Sequence, residues 1–167
     1  MIAATELRYR PTTATDGPAL FRLFQQLHTD EIATLAVDAA TRAALASMQY
    51  VEQRVRTAAE FPDAVDVAIE NAAGLCGRMV TVMRGGGIQL LQLGVLVEHR
   101  GQGIGTLAMR RLATIAEEHG CPIWLRADAT SSDCRGFLER VGFTVSGRGG
   151  RLLVERATAA ADRFVAA

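Results

Sequence analysis

Residues 100–106 read Arg-Gly-Gln-Gly-Ile-Gly-Thr, with glycines alternating at 101, 103 and 105 directly behind Arg100. Glycines so spaced let backbone N–H groups converge on an anion at a helix N-terminus, where the helix dipole also favours negative charge. Side chains at 101, 103 and 105 would obstruct that approach, and three alternating glycines are costly to a chain unless something comes close. The turn is therefore expected to hold a pyrophosphate.

The elements on either side must position it. An apolar run, Ile88 to Val97, precedes the turn and reads as a central strand covered on both faces. Gly94 interrupts that run, which marks a bulge or a close backbone approach. After the turn, Ile104, Leu107, Ala108, Leu112, Ile115 and Ala116 form one helical stripe, closed by Gly120 with Pro122 beyond.

Upstream, Leu7 to Arg10 reads as a short strand stopped by Pro11. Asp16-Gly17-Pro18 opens a helix with Asp16 as its cap and Leu20, Phe21, Phe24 and Leu27 on one face. Residues 30 to 40 carry no clear pattern. Thr41 to Glu60 predicts a longer helix, its period tracked by Leu45, Met48, Val51 or Glu52, Val55 and Ala59. Val65 to Glu70 and Leu75 to Arg84 read as a hairpin about Asn71–Gly74, and Gly85-Gly86-Gly87 is the next turn. Downstream come a strand at Pro122–Arg126 and a short helix to about Arg140, capped by Ser131, Ser132 or Asp133. Two strands follow, Gly142–Ser146 and Arg151–Glu155, and then an Ala-rich tail. The expected organisation is a single domain over residues 1–156 with a tail at 157–167.

Composition removes several classes of function. The 18 basic and 18 acidic residues cancel, leaving no footprint for nucleic acid and no basic segment for a membrane surface. Every basic residue is arginine, so neither a lysine nucleophile nor a P-loop lysine is available. The first residues lack the charged and apolar regions of a signal peptide, and no apolar run approaches the ~20 residues that span a bilayer. Cys76, Cys121 and Cys134 form no CxxC pair and have no histidine at ligand spacing. Neither a disulfide framework nor a metal site is expected, which suits a reduced, cytoplasmic protein.

Gly103–Ala108 also fits the dinucleotide fingerprint G-x-G-x-x-A, with Asp128 ending the next strand where a ribose-binding acid belongs. Against it, Glu98, His99 and Arg100 separate the strand from the glycines. Two helices and a β-meander precede the motif, and too few residues follow Asp128 for a second half.

A different family fits better. Arg100-Gly101-Gln102-Gly103-Ile104-Gly105 resembles the R/Q-x-x-G-x-G/A segment of the GNAT superfamily of N-acetyltransferases. Phe137-Leu138-Glu139-Arg140-Val141-Gly142-Phe143 is similar to the family's aromatic-Tyr-Glu-Lys-Leu-Gly-Phe stretch, and the element order agrees along nearly the whole chain. The resemblance implies an α/β fold: a mixed, mostly antiparallel central sheet with splayed central strands, flanked by helices. It implies acetyl-CoA as acetyl donor. The pantetheine arm would lie along the backbone of Leu93, Gly94 and Val95. The pyrophosphate would sit in the turn at Arg100, Gly101, Gln102, Gly103, Ile104, Gly105 and Thr106. Because the family accepts glutamine at the Arg100 position, that residue is expected to act mainly through its backbone, closing the strand end while its N–H contributes. The acceptor would be a primary amine of unspecified identity, attacking directly in a ternary complex, and a homodimer is compatible with the family.

Two departures leave the catalytic residues unassigned. Leu138 stands where many members carry the tyrosine that protonates the departing thiolate, and Ser131 replaces an asparagine. A thiol with a pKa near 8.5 is nevertheless a tolerable leaving group at neutral pH. The strand before the turn offers Gln89 and Gln92 where some members place a carboxylate base. Glu98, His99, Glu70, His28, Asp30 and Glu31 are the other candidates, each with a solvated or capping role as its plainer explanation. Trp124 reads as core, Cys134 as a packed thiol, and Arg148 and Arg151 as exposed charges. The alternative to an enzyme is a non-catalytic acyl-CoA-binding or sensor module.

Overall fold

In a computed structural model, residues 7–29, 33–34, 36–126, 132–147 and 151–156 are described. Seven strands form one sheet in the order β1-β2-β3-β4-β5-β7-β6, and helices flank it. Strand β1 (Arg8–Pro11) pairs antiparallel with β2 (Val65–Asn71), which pairs antiparallel with β3 (Gly74–Arg84). A two-residue turn, Gly85–Gly86, leads from β3 into β4 (Gly87–Val95). Strand β5 (Ile123–Arg126) lies parallel to β4 and antiparallel to β7 (Arg151–Arg156), which pairs antiparallel with β6 (Phe143–Ser146). The sheet is thus mixed and mostly antiparallel. The parallel pair β4·β5 is not the run of parallel strands that a dinucleotide fold requires. Among the described residues, β4 pairs with β5 at Ile88↔Ile123 and Gln89↔Trp124, while β4 itself continues to Val95.

Pro11 does not stop β1. It is the last paired residue, opposite Val67, and an edge strand tolerates a residue that cannot donate to a second neighbour.

Contacts divide the chain into two compact units. The first holds the described residues up to Val82 together with Gln92–Ala108, and the second holds Met83–Leu91 together with the described residues from Met109 onward. The first unit contains α1 (Gly17–Leu27) and α2 (Ala39–Glu60). Leu20, Leu23 and Phe24 of α1 are buried there with Ala68, Ile69, Met79, Val80 and Leu96. Leu23 takes the core place expected of Leu27, which is 38% exposed.

Helix α2 departs further from expectation. Met48, Val51 and Val55 are exposed, and Ala46 is the buried residue of the helix. Tyr50, one turn beyond Ala46, meets the rings of Phe21 and Phe24 at centroid distances of 5.3 and 5.4 Å. The helix therefore docks by its Ala46–Tyr50 side, and the stripe picked out by periodicity lies on the opposite side. Periodicity locates an apolar stripe, but a helix rich in alanine has a second face that approaches a neighbour more closely.

A polar row crosses the first unit. The register aligns Arg10, Ala68 and Arg78 on β1, β2 and β3. Arg10 donates to both oxygens of Asp16 (2.7 and 2.7 Å) and to Glu70 (2.9 and 2.6 Å). Arg78 donates to both oxygens of Asp66 (2.7 and 2.6 Å). Asp16 was expected to cap α1. Its carboxylate instead accepts from Arg10 and from the Thr13 backbone N–H (2.7 Å). The Arg10 guanidinium holds the buried Asp16 carboxyl well below the usual carboxylate range, with the Thr13 bonds acting in the same direction.

The second unit is built on β5, β6, β7 and the later turns of α3 (Ile104–Glu118), with α4 (Ser132–Arg140). Ile88, Leu90, Met109, Leu112, Ala113, Ala116, Ile123, Leu125, Leu138, Phe143, Leu152 and Val154 are its buried apolar side chains among the described residues. Trp124, expected in the core, is half-buried, and its buried Nε1 has no hydrogen-bond partner among the described residues. No described helix is long and apolar enough to cross a membrane.

Candidate functional site

The chain leaves β4 with the Leu96 N–H donating to the Cys76 carbonyl (3.0 Å), then makes a single 3-10 turn at Val97–His99. Gly101 (φ +74°) and Gly103 (φ +84°) both occupy the left-handed region, where a side chain is strained. A Cβ built on either meets nothing within 4 Å. Helix α3 starts at Ile104, and the Leu107 N–H bonds to the Gly103 carbonyl (3.0 Å). The N–H groups of Ile104, Gly105 and Thr106 thus belong to the first turn, ahead of the helix ladder, where intrahelical partners are missing by geometry. A backbone turn with donors at a helix N-terminus and open space before it suits an anionic diphosphate.

The Arg100 side chain folds back on the strand end: its Nε–H donates to the Val95 carbonyl (3.1 Å). Its backbone N–H, expected to contribute to the anion, donates instead to the Val97 carbonyl (3.1 Å). A 3-10 turn needs that i→i+3 bond. Gln102 donates from Nε2 to the Glu98 carbonyl (3.3 Å).

Helix α1 braces this segment through two residues that sequence reasoning passed over. Gln26 accepts from the Val97 N–H (2.8 Å) and donates to the Glu98 carboxylate (3.3 Å), and Arg22 pairs with Glu98 at 2.6 Å. Arg22 and Gln26 are four apart and share one helix face. Nothing local in the sequence signals these bonds, because 71 and 72 positions separate the hydrogen-bonded partners.

Of the strand residues assigned to the pantetheine arm, Leu93 and Val95 are half-buried and Gly94 is buried. A Cβ at Gly94 would lie 3.0 Å from Leu27 Cδ1 and 3.3 Å from both methyl carbons of Leu23. On the neighbouring strand, a Cβ at Gly77 would lie 2.8 Å from the Gly94 carbonyl oxygen. The interruption at Gly94 is therefore a close approach of α1 and β3.

The candidate bases fare unequally. Glu98 is held by Gln26 and Arg22; its own backbone N–H, then Gln26 and Arg22, lower its pKa, which makes it a weaker base. Glu70 is paired with Arg10. His28 packs on the Phe24 ring at a centroid distance of 4.4 Å. His99 is half-buried at the end of the 3-10 turn. Asp30 and Glu31 lie outside the described residues, as do Asp128, Ser131 and Arg148, the side chain of Arg151 and the tail from Ala157. Gln89 sits opposite Trp124 in the β4·β5 register, and Gln92 accepts from Arg78 Nη1 at 2.9 Å.

Leu138, the residue expected to stand where a proton-donating tyrosine is usual, is buried at 1% exposure. Burial raises the pKa of the half-buried Cys134 thiol, away from the reactive thiolate. It pushes the Cys76 thiol, which donates to the Ile69 carbonyl (3.2 Å), up to about 11. Among the described residues, no group of three or more His, Cys, Asp or Glu is placed to hold a metal ion.

Comparison with known proteins gives this geometry a context. A profile of the acetyltransferase (GNAT) family matches residues 58–143. A paia N-acetyltransferase from Thermoplasma acidophilum, solved in complex with coenzyme A, is similar at 16% identity with a TM-score of 0.61, covering 90% of this chain and 98% of that one. An acetyltransferase from Thermus thermophilus is similar at 19% identity (TM-score 0.60; 92% of this chain, 96% of that one). So is the ribosomal-protein-S18-alanine N-acetyltransferase from Escherichia coli, at 16% identity (TM-score 0.55; 89% and 91%). Among curated protein sequences no relative matches. At these identities the likeness to solved structures establishes the fold.

Proposed function

We propose, for a chain that belongs to the acetyltransferase (GNAT) family, that it binds acetyl-CoA and passes the acetyl group to a primary amine in a ternary complex. The observation that carries this reading is the turn itself: Gly101 and Gly103 hold left-handed angles with open space where side chains would stand, and α3 starts directly after them at Ile104. Ile104, Gly105 and Thr106 would hold the diphosphate through their backbone, with Gly101, Gln102 and Gly103 shaping the approach. Arg100 keeps the strand end in place through Val95. The backbone of Leu93, Gly94 and Val95 would run beside the pantetheine arm, and the coenzyme A complex of the Thermoplasma relative supports such a ligand on this fold.

The donor supplies an activated thioester. An N–C bond forms to the acetyl carbon, the C–S bond breaks with its electron pair on sulfur, and the proton lost by the amine goes to solvent. Leu138 has no proton to give, so the thiolate leaves as such, which its pKa near 8.5 allows. Glu98 serves the turn as a brace, since both its carboxylate oxygens are engaged. No metal is part of the proposal. One domain over residues 1–156, a cytoplasmic location and the absence of nucleic-acid or membrane partners belong to the same reading.

The engagement of Glu70 and Glu98 by arginines favours a second reading, an acyl-CoA-binding module without turnover. Calorimetric titration with acetyl-CoA, followed by thiol release over an amine panel, separates the two. Saturable binding with thiol release is the expected result. Binding without release on every amine tested supports the module, and no binding refutes both.

A further inference from the structure

Helix α2 turns an uncharged seam to solvent. Ala44, Met48, Val51, Val55 and Ala58 follow one another at steps of 4, 3, 4 and 3 residues. That is a period of 3.5, the repeat by which two helices keep one side facing each other along their length. All five residues are exposed, Met48, Val51 and Val55 at 68%, 58% and 64%. The other side of α2 docks on α1 through Ala46 and Tyr50, so the packing of the described residues leaves the seam to solvent.

The order of sizes along the seam points to what covers it. Alanines stand at both ends, seven positions either side of Val51, with the larger Met48 and Val55 between. Turned end for end, the seam presents the same order of small and large. A second copy laid antiparallel therefore sets Ala58 against Ala44, Met48 against Val55 and Val51 against itself. A two-fold interface requires this, since residue i meets j and j meets i. The terminal alanines let the two axes close to the ~8–10 Å of packed helices.

We propose that α2 is the interface of a reversible homodimer, two copies pairing antiparallel about a two-fold axis at Val51. Ser47, Met48, Val51, Glu52, Val55 and Arg56 border an open hollow on this side of the helix, which takes a knob from the facing copy. Glu52 comes near its own copy beside the axis, and its charge is already met by Arg56 of the same chain. The pairing goes beyond acetyl transfer and does not depend on it.

The area sets the strength of the contact. A helix of this length is about 33 Å long and about 10–12 Å across, so its face offers roughly 400 Å². A standard stable interface takes about 800 Å² per partner. One helix face therefore makes a dimer that assembles and dissociates with concentration. A bilayer surface is a poorer match: the seam holds no Trp or Phe, and the arginines of α2 (Arg42, Arg54 and Arg56) are nearly balanced by Glu52 and Glu60.

Sedimentation equilibrium of the full chain across the micromolar range tests this, with a monomer–dimer equilibrium as the expected result. Val51→Glu brings two carboxylates together on the axis and should weaken the dimer at least about 100-fold, with an unchanged thermal melt because Val51 is exposed. Cysteine variants under mild oxidation read the geometry, against the wild-type chain as baseline for its own three cysteines. Val51→Cys should cross-link to its own copy, where facing α-carbons come within disulfide reach. Ala44→Cys and Ala58→Cys each lie about 21 Å along the axis from their own copies, so they should cross-link only when mixed. A chain that stays monomeric, or a dimer that Val51→Glu leaves intact, overturns the proposal and gives the seam to another occupant. Self-linking of Ala44→Cys or Ala58→Cys alone overturns the antiparallel pairing.

Discussion

Two sets of glycines serve opposite purposes in this molecule. Those of the turn, Gly101 and Gly103, face open space and hold left-handed backbone angles. Those of the sheet, Gly77, Gly87 and Gly94, face space already filled. A Cβ at Gly87 would lie 2.6 Å from both the Pro122 carbonyl oxygen and Trp124 Nε1, and one at Gly77 2.8 Å from the Gly94 carbonyl oxygen. The turn glycines leave room for a visitor, whereas the strand glycines let the protein approach itself. A substitution should therefore cost binding in the first set and stability in the second.

Gly103→Asp tests the first half and carries the largest expected effect. A carboxylate placed about 4 Å from a phosphate charge costs about 4 kcal/mol at an effective dielectric of ~20, roughly a thousandfold in affinity. The fold should lose only about 1 kcal/mol, since aspartate tolerates the left-handed region and meets no atom there. Calorimetry with acetyl-CoA beside a thermal melt checks both numbers, and unaltered affinity would break the comparison.

Gly87→Ala should be the most damaging strand change, at about 3 kcal/mol, because backbone and an indole ring must both yield. Urea unfolding measures it, and a loss below about 1 kcal/mol would mean that the clash relaxes freely. Gly77→Ala meets a single backbone oxygen and should cost about 2 kcal/mol by the same measurement. Gly94→Ala is the mildest, at about 1 kcal/mol or less, since the end of the partly exposed Leu27 side chain can move aside. If Gly94→Ala instead weakens acetyl-CoA binding more than it weakens the fold, Gly94 belongs with the turn glycines.

The legible parts of the chain were those with local signatures. The strand–turn–helix unit around Gly101–Gly105, the hairpin at Asn71–Gly74 and the order of elements follow from turn residues and periodicity, which depend on near neighbours. Helix α2 shows where that reasoning ends. Its extent was readable to within two residues, yet its docking face was not, because Ala46 and Tyr50 were chosen by the rings of Phe21 and Phe24. Asp16 carries a cap residue's sequence signature but was claimed by Arg10. Glu98 is a solvent-facing acid, as its place past the strand end suggests, but its bonds to Arg22 and Gln26 of α1 have no local signal.

By itself, the sequence determined that this protein has a glycine turn fit for an anion, set between an apolar strand and an amphipathic helix, in a mixed α/β fold of the acetyltransferase (GNAT) kind. Backbone conformational limits and local periodicity are properties of a few adjacent residues, so they are written in the chain. Only the tertiary structure decided which charges and amides are engaged. Arg22 and Gln26 reach Glu98, and Asp66 and Arg78 fix Gln92. Each of these bonds joins elements distant in sequence, and its geometry exists only once sheet register and helix packing have set the side chains a few ångströms apart.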